Sequence, residues 1–159
     1  MIEMKTILHP TDFSETSKYA LNYAISFAKE YKAKLIILHV IEEISTSLYF
    51  DILQAPPMAR LMEEIENQSR KALEEILPPE VRGAIEVEYI TRKGVPFLEI
   101  VRCAAENDVS MIVCGTHGRS GLKHALFGSV AERVVRKAPC PVLSVRHPEH
   151  KFEMPVEGT

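Results

Sequence analysis

Strand-like and helix-like stretches alternate along the chain, and that alternation constrains the fold more than any other feature. Met4–His9, Lys34–Val40, Ala84–Thr91, Met111–Cys114 and Val142–Val145 read as strands. Lys34–Val40 is apolar almost throughout, as expected of a strand buried on both faces in a parallel sheet. Between the strands, apolar residues recur at helical spacing. The first such stripe is Ala20, Ala24, Phe27, Ala28 and Tyr31, with Ser14 as its N-cap. The second runs from Met58 to Ile76 and stops at Pro78-Pro79. A third follows the turn Gly94-Val95, with Pro96 in its first turn. The fourth begins at Ser129, where Ser129-x-x-Glu132 has the form of a capping box, and ends at Pro139. Glu42–Pro57 reads as a long loop beside the end of the second strand. The expectation is one α/β domain with a mainly parallel sheet and helices on both faces. Periodicity leaves the strand order open between 3-2-1-4-5 and 2-1-3-4-5. In either case a ligand belongs beyond the carboxyl ends of the strands, at the switch point.

Seven glycines occur in 159 residues, and Gly115, Gly118, Gly121 and Gly128 fall between one strand and one helix. Glycines let backbone N–H groups approach an anion, and the helix that follows adds unpaired donors and a positive partial charge. Ser129, Arg119, Lys123 and His124 would add donors. This is a phosphate cradle by its chemistry. It lacks the Gly-Lys-[Ser/Thr] of a Walker A loop and the GxGxxG of a dinucleotide fingerprint. The competing reading is a loop whose glycines only make turns.

The spacing Gly115-x2-Gly118-x9-Gly128-Ser129 resembles the motif of the ATP-binding branch of the universal stress proteins. Pro10-Thr11-Asp12-Phe13-Ser14, Leu38-His39-Val40, Gly94-x-Pro96 and Ala138-Pro139-Cys140-Pro141-Val142 are similar marks, and the resemblance covers residues 3–146. It implies a Rossmann-like, adenine nucleotide α-hydrolase-like domain over 1–146, with the order 3-2-1-4-5, followed by a polar tail from 147 to 159. It implies that Asp12, with Thr11 and Pro10, borders the nucleoside and that the Val40 backbone meets the adenine. Gly115, His117, Gly118, Arg119, Gly128, Ser129 and Val130 would hold ribose and phosphates. Mg²⁺ or Mn²⁺ would be carried by the phosphates, since the sequence offers no cage of carboxylates. The implied protein is an ATP-binding regulator of the stress response and a nucleotide-dependent switch. It would be a homodimer through the edge strand Val142, Leu143, Ser144 and Val145. A slow ATPase or a nucleotidyl or phosphoryl transferase on the same scaffold is the enzymatic alternative. A dimerising module with an empty site is the structural one.

Three smaller features have plainer readings beside the chemical ones. Asp12 could simply cap the first helix or shape a turn. Cys114 and His117 could form a nucleophile pair, against which stands the place of Cys114 at the end of a buried strand. His9 and His39 end adjacent strands and could share a metal, or could be hydrogen-bonded histidines near the strand ends. A net charge of −3 argues against a nucleic-acid partner. The longest apolar run, Leu35–Ile41, is interrupted by His39 and is far too short to span a membrane. The start of the chain lacks the pattern of a signal peptide. Three scattered cysteines suggest a reducing cytoplasm rather than a disulfide framework.

Overall fold

A computed structural model describes residues 1–42, 56–117 and 127–149, with the backbone alone for 56–58. Among these residues are five strands and four helices. They are β1 (Thr6–Thr11), α1 (Glu15–Tyr31), β2 (Lys34–Glu42), α2 (Pro56–Glu74), β3 (Val87–Gly94), α3 (Pro96–Glu106), β4 (Met111–Gly115), α4 (Ser129–Lys137) and β5 (Val142–Val145). The strands form one parallel sheet in the order β3-β2-β1-β4-β5.

The alternation of side chains along each strand sorts the core into two layers. Ile7, Leu35, Ile37, Val113 and Val145 pack with Ala20, Leu21, Ala24 and Ala28 of α1 and with Leu73 and Leu77 at and beyond the end of α2. Leu8, Ile36, Leu38, Ile112 and Cys114 pack on the opposite face with Ile100, Cys103 and Ala104 of α3 and Val134 of α4. The row of alanines on α1 lets that helix lie close to the sheet. As expected, helices cover both faces.

Several boundaries differ from the sequence reading. β1 runs through Pro10 to Thr11, two residues beyond the expected break. β3 is displaced three residues along the chain, to Val87–Gly94. There Ala84–Glu86 belongs to a turn in which Ile85 makes only an isolated bridge to Arg82. α2 starts at Pro56-Pro57 rather than after it, because proline loses nothing at a helix's first turn. Ser14 caps α1 as expected, its hydroxyl accepting the Ser17 N–H at 3.2 Å. The capping box at Ser129 does not form: the N-cap is Gly128, and Glu132 pairs instead with Arg136 at 3.0 Å. Residues 43–55 of the expected loop and 150–159 of the tail lie outside the described residues.

The pairing of β1 with β4 ends at Leu8↔Ile112, and Pro10 explains why. In this register Leu8 donates to the Met111 carbonyl, and residue 10 would donate to the Val113 carbonyl. Proline has no N–H to give. β1 and β2, by contrast, stay paired through Thr11↔His39.

Candidate functional site

At the carboxyl ends of β1, β2 and β4 lies a cavity of about 690 Å³. This is where the strand order reverses. β1 leads to β2 on one side, while β4 sits on the other, so the connections leave in opposite directions and a crevice opens between them. Its rim is built from Pro10, Thr11 and Asp12 of the β1 end, Gly115, Thr116 and His117 of the β4 end, and Gly128, Ser129 and Val130 at the start of α4. Val40 lines it from β2. The structure thus gathers all the expected site residues that it describes. Gly118, Arg119, Gly121, Lys123 and His124 lie outside the described residues.

The turn after β1 is tightly bonded. Thr11 Oγ1 accepts the Phe13 N–H at 3.1 Å and the Ser17 hydroxyl at 2.8 Å. Asp12 Oδ1 accepts the Ser14 N–H at 3.0 Å. Asp12 therefore does shape the turn, and it also lines the cavity; the two readings are compatible. Phe13 sits at φ 63°, a left-handed conformation rare for a bulky side chain. Its ring rests against the imidazole of His39, with centroids 4.6 Å apart.

Two of the described glycines have structural duties as well. A Cβ on Gly115 would lie 2.9 Å from Thr16 Cγ2 and 3.3 Å from the Thr16 backbone. Glycine is needed there because α1 crosses close to β4, and the missing side chain faces the helix. The Gly128 N–H is taken up by the Thr116 carbonyl at 2.6 Å. That bond ties the start of α4 to the end of β4. Ser129 and Val130, in the first turn of α4, line the cavity, and the Gly128 cap carries no side-chain bond among the described residues. Such a terminus, with the helix dipole behind it, suits an anion. The charged residues among the described lining are Asp12 and Glu42, both acidic.

The two histidines are bonded to backbone. His39 Nδ1 lies 2.8 Å from the Thr11 carbonyl, and His9 Nδ1 lies 2.9 Å from that of Val113. Among the described residues no group of three or more His, Cys, Asp or Glu side chains is placed to hold a metal ion. His9 is fully buried, and burial pushes its pKa down to about 4. Burial also pushes the Cys114 thiol up to about 11. Burial disfavours the thiolate, which weighs against the Cys114–His117 pair. His117 is buried, with Nδ1 3.0 Å from Thr116 Oγ1.

Sequence reasoning missed one wall. Ile65, Gln68, Ser69 and Ala72 of α2 share a helix face and line the cavity, as do Pro96 and Ile100 of α3 and Val134 of α4. The spacing 65, 68, 69, 72 marks a face but does not say what it faces. An ion pair of Lys93 on β3 with Glu66, 2.6 Å long, helps hold α2 beside the sheet.

An open parallel sheet with helices on both faces, and a crevice at its switch point beside the start of a helix, defines a Rossmann-like α/β domain. The family model described as the universal stress protein family matches residues 3–146, and the chain belongs to that family. It is 34% identical over 153 residues to the universal stress protein MJ0577 of Methanocaldococcus jannaschii, covering 89% of this chain and 94% of that one. It is 37% identical over 139 residues to the universal stress protein YxiE of Bacillus subtilis, covering 85% and 94%. The solved structure of MJ0577 superposes with a TM-score of 0.78 at 33% identity, covering 92% of this chain and 98% of that one. A universal stress protein crystallised in complex with cAMP superposes with a TM-score of 0.58 at 26% identity, covering 91% and 98%. No described helix is long and apolar enough to cross a membrane.

Proposed function

We propose that the chain is an adenine-nucleotide-binding regulator of the stress response, with ATP as its ligand and a homodimer as its working form. The observation that carries this reading is the crevice at the ends of β1 and β4, lined by Gly128, Ser129 and Val130 at the start of α4. The cAMP-bound relative, with the same fold, supports an adenine nucleotide as the class of ligand. In this reading the base lies by Val40, and Pro10, Thr11 and Asp12 border the nucleoside. The phosphates meet Gly115, His117, Gly128, Ser129 and Val130, together with Gly118 and Arg119. With only Asp12 and Glu42 charged among the described lining, a triphosphate needs positive charge from elsewhere. Mg²⁺ or Mn²⁺ held by the phosphates, and Arg119 and Lys123, would supply it. β5 lies at the sheet edge, and Val142, Leu143, Ser144 and Val145 would pair with their counterparts in a second copy.

Calorimetry with ATP and Mg²⁺ tests the site through Ser129→Pro. Proline suits a helix's first position, and Gly128 already has the extended backbone (φ −70°, ψ 156°) that a following proline requires. The variant loses one N–H and one hydroxyl while α4 is kept. Affinity is expected to fall at least ~10-fold, or about 1.4 kcal/mol. Equal affinity in a folded variant would overturn the site. Labelled ATP followed through a single turnover separates a switch from a slow ATPase.

A further inference from the structure

We infer that His9 and Pro10 together form a strut that stops β1 from zipping onto β4 beyond Leu8 and so holds Thr11 and Asp12 at the mouth of the cavity. The ladder places the N–H of residue 10 opposite the Val113 carbonyl. Pro10 puts a ring carbon there instead. An unmade bond would leave a buried carbonyl without its donor, at a cost to folding. His9 supplies the donor from the neighbouring position, with Nδ1 2.9 Å from the Val113 oxygen. A carbonyl can only accept, so Nδ1 carries the proton. Nε2 is then a bare lone pair, and it has no hydrogen-bond partner among the described residues. The ring thus replaces one ladder bond with a longer, side-chain-mediated one. The backbone of residues 10–12 stays at the rim, facing Gly115 and Thr116 across the crevice. His9 does not line the cavity and would touch no ligand. It is a positioning residue, and its effect on binding rests on the nucleotide reading above.

The test uses four proteins: wild type, His9→Asn, His9→Leu, and His9→Leu combined with Pro10→Ala. Asparagine can offer an N–H near the place of Nδ1; leucine cannot. The Pro10→Ala change restores the backbone donor, so the double variant can zip. Melting temperature and ATP affinity are measured on each. The strut requires His9→Asn to bind within about 3-fold of wild type and His9→Leu to lose both stability and affinity. The double variant should recover stability but not affinity, because zipping draws residues 11 and 12 against β4. If affinity returns together with stability, or if His9→Leu binds like wild type, the strut is wrong and His9 serves stability alone. If wild type binds no adenine nucleotide at millimolar concentration, the functional reading fails instead. The strut is then decided by nuclear magnetic resonance. A His9 ring protonated at Nδ1, with a slowly exchanging amide at residue 10 in the double variant, upholds it. A ring protonated at Nε2, or fast exchange of that amide, overturns it.

Discussion

His9 shows how one buried side chain can tie stability to pH. Its imidazole is fully enclosed, and a charged ring there would lose its hydration. Desolvation dominates; the bond to the Val113 carbonyl and the field of Asp12 oppose it without overcoming it. The folded pKa of about 4 lies below the ordinary value of 6.5, so the unfolded chain binds the proton more readily. Stability from this group is therefore complete above about pH 6.5 and is lost as pH falls toward 4. The gap between those two values amounts to roughly 3 kcal/mol. Urea unfolding of wild type and His9→Asn between pH 7 and pH 4 should show wild type losing more stability by about that amount. Parallel curves would mean that His9 is not buried as a neutral ring. Sequence alone left the role of His9 open between a metal ligand and a bonded histidine. The choice depended on Val113, 104 residues away, and no local pattern records that contact.

The elements meet at a few close crossings, and the approach of α1 to β4 leaves no room for even a methyl group. Gly115 was legible as part of a glycine-rich loop, but the reason for it was not. The sequence suggests phosphate, and the structure adds a packing reason, with the missing side chain facing Thr16. Gly115→Ala should cost about 1–3 kcal/mol, because an overpacked core must shift backbone. Thr16→Ser removes the nearest methyl and should recover part of that loss in the double variant. Additive losses in thermal unfolding would place the strain elsewhere. α4 offers a similar lesson. The motif Ser129-x-x-Glu132 fits a capping box, yet Gly128 takes the cap and its N–H goes to Thr116. The helix begins at Ser129 as expected, but the cap falls one residue earlier and the Ser129 side chain is left out of it.

For the molecule as a whole, β5 leaves one row of backbone groups without a strand beside it among the described residues. Its pairing to β4 uses Leu143 and Val145, since Ile112 donates to the Pro141 carbonyl and Thr116 to that of Val145. Val142 and Ser144 therefore point their N–H and C=O groups outward, where a second copy could pair in the isologous way of a two-fold dimer. Ser144→Pro removes one outward donor and leaves the ladder to β4 intact. Sedimentation at micromolar concentration should find wild type dimeric and this variant monomeric, with unchanged circular dichroism. A monomeric wild type, or an equally dimeric variant, would count against pairing through β5.

The architecture was written in one dimension. Alternating strand and helix periods require a parallel α/β sheet, and the spaced glycines with Pro10-Thr11-Asp12 mark the end of the sheet where the cavity opens. Those signals are local: each depends on residues within a few turns or a single loop, so they can be read along the chain. The strand order needed the family resemblance, because periodicity is blind to which strand lies next to which. Three features emerged only on folding: the donor that satisfies the Val113 carbonyl, the glycine that faces a helix, and the wall of the cavity formed by α2. Each of these joins segments dozens of residues or more apart. Their register is set by packing two apolar layers against the sheet, and that geometry exists only once the chain has folded.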